Sequence, residues 1–207
     1  MDNYENRGIG LGRILLTAAI VIIVAAIIGC ITFVGSCVST YNQLIDMQEE
    51  VSFAGANVET MMQRRLELIP DLVSTVQAYA EHEEKVFEDI ANARKELGDS
   101  LSSGDLEQIS EANENLSVAV NSLVALAENY PDLTSGQQYT SLMDQLEGSV
   151  NRITIARESY NEEVANYNKE VRHFPGSILA DLFGFEEMEQ FEADEAADNP
   201  NMVNFDW

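Results

Sequence analysis

Ile14 to Val34 is a run of 21 residues without a charged side chain. As a helix it is about 31 Å long, against a bilayer hydrocarbon core of about 30 Å. Residues 14–34 are therefore expected to form a transmembrane helix in contact with lipid. Arg7 and Arg13 precede the run, and the next basic residue is Arg64. The asymmetry of basic residues places residues 1–13 in the cytoplasm as a leader and everything after Val34 outside, a single pass through the cell membrane. A second anchor competes with this one. Val34-Gly35-Ser36-Cys37 puts small residues before a cysteine at the end of the apolar run, loosely the pattern at which bacterial lipoproteins are cleaved and acylated, which makes Cys37 a lipidation candidate. Cleaved signals carry a shorter apolar region of about 7–15 residues, so the uncleaved span is preferred.

The charge balance removes several function classes. With 36 acidic and 11 basic residues the net charge is −25. Nucleic-acid binding needs clustered Lys and Arg, so DNA and RNA are excluded as expected partners. Electrostatic attachment to anionic lipid is disfavoured for the same reason. The two cysteines, Cys30 and Cys37, both lie in or beside the apolar run, which leaves no disulfide framework and no Cys-based metal site for the rest of the chain.

Beyond the span the sequence reads as helices. Leu44, Met47, Val51, Ala54, Val58 and Met61 recur at steps of three and four, the spacing of one helical face. The next positions on that stripe are Arg65 and Leu68, and Pro70 then interrupts it. Leu72 to Leu97 resume the rhythm, and Gly98-Asp99-Ser100 with Ser102 to Asp105 read as a loop. Leu106, Ile109, Asn113, Leu116, Val120, Leu123 and Ala127 mark a further helix that ends before Pro131. A last long stripe runs Tyr139, Leu142, Leu146, Val150, Ile153, Ala156, Tyr160, Val164, Tyr167, Val171. The expected fold is all-α, a transmembrane helix followed over residues 39–185 by an antiparallel up-and-down four-helix bundle whose first reversal lies close to Pro70. The alternative is a three-helix bundle built on one long helix kinked at that proline. Phe174 to Phe185 is expected to fold back as a cap, with contact to the membrane surface as the alternative. Residues 186–207 carry eight acidic and no basic side chains and read as a solvated, disordered tail.

An ordered string of short motifs resembles the LemA family. Tyr41-Asn42 with Leu44, Arg64-Arg65 with Leu68-Ile69-Pro70, and Tyr79-Ala80 with His82-Glu83 resemble its first half. Ala93-Arg94, Glu128 with Tyr130-Pro131-Asp132-Leu133, Leu146-Glu147, Asn151-Arg152-Ile153, Ala156-Arg157, Tyr160-Asn161, Tyr167-Asn168 and Phe174-Pro175 resemble its second half. The likeness covers roughly residues 40 to 186. It implies a single-pass or lipid-anchored bacterial envelope protein with a helical-bundle domain, no catalytic activity, and a protein partner that includes a membrane zinc metalloprotease among the candidates.

The residues themselves point away from catalysis. His82-Glu83-Glu84-Lys85-Val86 begins like a zinc-protease helix, but Val86 stands where the second histidine ligand belongs. No metal, cofactor or catalytic residue is assigned. Arg65 sits on the apolar stripe and Arg157 adjoins one, and a charge turned toward a helical core requires a partner. Glu128, Asp144 and Glu147 are available, so Arg64, Arg65, Glu128, Glu147 and Arg157 are read as a buried polar layer that fixes helix register, or alternatively as an interface. The expected function is an interaction or scaffold module at the cell envelope, self-association included. An unrecognised envelope enzyme is the second reading.

Overall fold

The computed structural model describes residues 5–191, with side chains from Leu16 onward. The described residues form helices and turns, with no strand among them: α1 (Glu5–Gln77), α2 (Glu84–Ser103), α3 (Leu106–Ala127), α4 (Pro131–Thr134), α5 (Gln137–Arg172) and α6 (Gly176–Phe183). The chain divides into two compact units, Met1–Asp46 with Lys169–Glu186, and Met47–Asn168 with Glu187–Trp207.

The reversal expected at Pro70 does not occur there. α1 continues through the proline as one 73-residue helix. The local rule fails for an identifiable reason. Pro70 has no N–H to bond the Leu66 carbonyl one turn back, and Arg94 on α2 supplies the missing donor, its Nε reaching the Leu66 carbonyl oxygen at 3.2 Å. The buried face also stays in register across the proline, as Leu66, Ile69, Leu72 and Val76. The chain turns back instead at Ala78 to Glu83, where the Tyr79 and Ala80 N–H groups both bond the Val76 carbonyl, at 3.0 and 3.1 Å.

A second expected break also closes up. α2 runs through Gly98-Asp99-Ser100 to Ser103, because Leu97 and Ser100 are both buried on its inner face. A glycine inside a helix costs only about 1 kcal/mol, less than such burial returns. The turn is confined to Gly104, in the left-handed region at φ 72°, and Asp105. The Asp105 carboxylate caps α3, accepting from the Gln108 backbone N–H at 3.1 Å and from its side-chain amide at 2.8 Å, so two donors at the helix start are satisfied together.

Side-chain contacts define the neighbours within the larger unit. Arg94 ties α2 to α1, Asn115 on α3 donates to Glu96 on α2 at 3.2 Å, and Arg157 on α5 donates to Ser110 on α3 at 3.0 Å. α1 and α5 run antiparallel: Thr75 meets Gln138, while Gly55, well before Thr75 on α1, faces the Tyr160 ring. The core shifts from the expected stripe by one position in several places, as from Leu68 to Ile69 and from Asn113 to Ala112. Met62 is fully buried where Met61 was expected, and Ser149 is buried at 1% exposure while Val150 is 43% exposed. Ser149 loses little by this, since its hydroxyl bonds the Leu146 carbonyl at 2.6 Å.

In the smaller unit, α1 shows two kinds of surface. From Leu16 to Val34 its large apolar side chains are exposed, and this part is long and apolar enough to cross a membrane. Thr40 and Leu44 are buried, and Tyr41 stacks edge-on against Phe183 and Phe185, with ring centroids 4.9 and 5.6 Å away. α6 buries Gly176, Leu179 and Ala180. Gly176 is required by close approach, since a Cβ there would run into the Glu170 carbonyl.

Candidate functional site

Arg65 is the most deeply buried charge among the described residues, at 3% exposure. Its position on the α1 stripe points it inward, yet none of the three carboxylates expected to pair with it does so. Glu128, Asp144 and Glu147 are all exposed. The guanidinium is met by neutral groups on α3: one Nη donates to Asn113 Oδ1 at 2.6 Å and the other to Ser117 Oγ at 3.0 Å. Ser117 passes the interaction on by donating to the Asn113 carbonyl at 2.9 Å. Arg65 Nε has no hydrogen-bond partner. With no counter-charge at hand, burial lowers the Arg65 pKa to about 10, and the group remains protonated at neutral pH. The polar layer is therefore built as cation, amide and hydroxyl. Asn113 stood in the α3 stripe between Ile109 and Leu116, and that polar interruption was the signal available in the sequence; Ser117 and Ser110 gave none.

Arg64, its neighbour, faces outward. It lines a surface groove of about 710 Å³ with Glu59, Thr60, Gln63, Glu67 and Leu101. Glu128 is the residue after α3 and raises the Tyr139 pKa, after burial as the larger cause. His82 and Glu83 are exposed in the turn before α2, and Pro131 opens α4 directly after Tyr130. Asn42 is exposed beside Tyr41, and Cys37 is a half-buried free thiol within α1. Among the described residues no three His, Cys, Asp or Glu side chains are grouped to hold a metal ion.

The second polar arrangement lies where a disordered tail was expected. Residues 192–207 fall outside the described residues, but Glu187 to Phe191 are held against α5. Asn168 donates its amide to the Met188 carbonyl at 2.8 Å and accepts from the Met188 N–H at 2.8 Å. Asn161 does the same for Phe191, at 2.9 and 2.8 Å. The spacing explains the match. Seven residues of helix rise about 10.5 Å, and three residues of extended chain span about 10 Å, so two asparagines two turns apart meet every third residue of an antiparallel strap. The Tyr160 hydroxyl donates to the Glu189 carbonyl at 3.2 Å, and the Gln190 amide returns to the Asn161 carbonyl at 2.9 Å. Phe191 is buried, with its ring 5.2 Å from that of Tyr160 and the Arg157 guanidinium 5.0 Å from its centroid. Burial first and the Glu189 charge second raise the Tyr160 pKa. Every asparagine bond goes to main chain, so the site reads an extended backbone, and Phe191 supplies the side-chain anchor.

The sequence profile of the LemA family matches residues 54–205, most of the chain. The chain belongs to the LemA family. The match spans both polar arrangements, from Arg65 on α1 to the strap. Among characterised relatives, the magnetosome protein MamQ of Magnetospirillum gryphiswaldense is 27% identical over 217 residues, covering 94% of this chain and 78% of the relative. The magnetosome proteins MamQ 1 and MamQ 2 of Paramagnetospirillum magneticum are each 27% identical over 202 residues, covering 86% of this chain and 74% of the relative. Family membership and the long apolar helix together fit a membrane-associated LemA protein of the envelope.

Proposed function

We propose that this LemA-family chain is a membrane-anchored interaction module, with residues 14–34 as a single transmembrane pass, a cytoplasmic N-terminus and an extracytoplasmic helical domain. The pairwise contacts among α1, α2, α3 and α5 support an up-and-down arrangement of four helices, in which the Arg65 layer sets register and performs no chemistry. The observation that carries the interaction role is the strap. α5 holds an extended peptide through paired main-chain bonds and one aromatic anchor, which is the chemistry a docking helix needs for a protein segment. The Arg64 groove, a cation among acidic neighbours, offers a second contact.

The test is crosslinking and recovery of partners from intact membranes, with wild type, Arg64→Glu and Asn161→Ala/Asn168→Ala compared in parallel. A protein partner, the metalloprotease class included, is expected from wild type and is lost with one variant while thermal stability of the bundle is kept. Recovery of nothing from wild type overturns the interaction role. Protease added outside spheroplasts is expected to degrade the chain after Thr40; protection until the membrane is broken reverses the orientation.

A further inference from the structure

We infer that α6 is an interfacial membrane helix, lying on the lipid headgroup region beside the point where α1 leaves the bilayer and presenting Ile178 and Leu182, with Phe174 just ahead of it, to lipid. The inference rests on the reading of residues 14–34 as a membrane span, and all of its geometry lies within the smaller unit.

α6 is apolar on both sides. Its inner face buries Gly176, Leu179 and Ala180, whereas Ile178 and Leu182 are exposed at 52 and 70%, as is Phe174, two residues before the helix, at 70%. Ile178 and Leu182 are four residues apart, one line along the helix, and Phe174 lies in the turn just ahead of it. A short helix that spends half of its apolar surface on packing and leaves the other half bare is satisfied only by a second apolar medium. Its position says which one. Tyr41 holds Phe183 and Phe185 edge-on, so α6 is fixed at the level of Tyr41 on α1. Tyr41 still belongs to the uncharged part of α1: after Arg13 the first charged residue is Asp46. That uncharged stretch, residues 14–45, is 32 residues, or about 48 Å of helix, against about 40–45 Å for a bilayer including its headgroups. Tyr41 therefore falls in the headgroup layer on the exit side, where aromatic rings that are part apolar and part polar concentrate.

The chain's overall acidity does not oppose this locally. From Lys169 to Glu186 there are two basic residues, Lys169 and Arg172, and three carboxylates, Glu170, Asp181 and Glu186, so the segment is close to neutral in a protein of net charge −25. An apolar face with a nearly balanced flank suits zwitterionic lipid.

The experiment uses the full chain in phosphatidylcholine nanodiscs, with Trp207→Phe to silence the native tryptophan and single probes introduced as Leu182→Trp, Ile178→Trp and Ile23→Trp. Ile23→Trp reports on the span. Both α6 probes are expected to show emission blue-shifted from N-acetyltryptophanamide, and to be quenched more by lipids brominated near the top of the acyl chain than by lipids brominated near its end. If Ile23→Trp is quenched by brominated lipid while both α6 probes emit and respond to aqueous iodide like the free model compound, the interfacial helix is overturned and the span stands. Blue-shifted α6 probes that no brominated lipid quenches mean that protein, such as a second copy, covers the face, which also overturns it. An unquenched Ile23→Trp removes the span itself and the inference with it.

Discussion

The Arg65 layer and the strap on α5 both take polar groups out of water, but they satisfy them to different degrees. Around Arg65 a full charge is held by two neutral acceptors and one of its nitrogens is left without a partner. On α5 two neutral amides use both donor and acceptor against a single backbone residue each. A buried charge is costly to hold and more costly to strand, whereas a matched amide pair is cheap to hold and cheap to lose. The first arrangement therefore belongs to global stability. The second belongs to local attachment.

The largest effect expected from this contrast is at Asn113. Asn113→Leu strands the guanidinium and lowers unfolding free energy by about 3–5 kcal/mol, read as thermal or denaturant unfolding in detergent. Adding Arg65→Met removes the stranded charge, so the double variant recovers most of the loss. If the double variant is as unstable as Asn113→Leu alone, packing rather than charge explains the layer.

The strap breaks next. Phe191→Ala removes a buried ring worth about 3 kcal/mol, and Asn168→Asp keeps the acceptor for the Met188 N–H while replacing the donor to its carbonyl with a repelling oxygen. Both are expected to abolish hydrogen-exchange protection at Met188 and Phe191 and to leave the melting temperature of the helices within a few degrees. A fall as large as that of Asn113→Leu would erase the distinction between the two sites.

A smaller effect isolates Arg94. Arg94→Met deprives the Leu66 carbonyl of its donor and costs about 1 kcal/mol. In a Pro70→Ala background the restored N–H at position 70 can bond that carbonyl, and the same change is expected to cost less. Equal costs in the two backgrounds would mean that Arg94 does not compensate for the proline.

The smallest is a pH effect at Tyr160. Its folded pKa is raised above 10.0, so the neutral, donating phenol is favoured in the docked state. Its contribution is complete below the ordinary pKa and is lost as pH rises through the raised one, when the hydroxyl can no longer donate to the Glu189 carbonyl. Strap protection is expected to weaken above pH 10 by an amount near one neutral hydrogen bond, about 1 kcal/mol, and Tyr160→Phe removes that dependence. Protection that falls equally in Tyr160→Phe assigns it to another group.

The sequence by itself determined the helical class, the apolar N-terminal run and most of the buried stripes, because each is written in residues three or four apart on one helix, where the physics is local. Leu44, Val58, Leu116, Val164 and Tyr167 lie where the periodicity placed them. Tertiary structure decided what depends on residues far apart in the chain. Pro70 read as a stop because the donor that excuses it, Arg94, is 24 residues away on another helix. Arg65 read as half of an ion pair because charge suggests opposite charge, whereas the oxygens that meet its guanidinium belong to Asn113 and Ser117. The strap read as a solvated tail because acidic composition describes a segment alone, and composition carries no information about Asn161 and Asn168, whose two-turn spacing on α5 matches the rise of an extended chain.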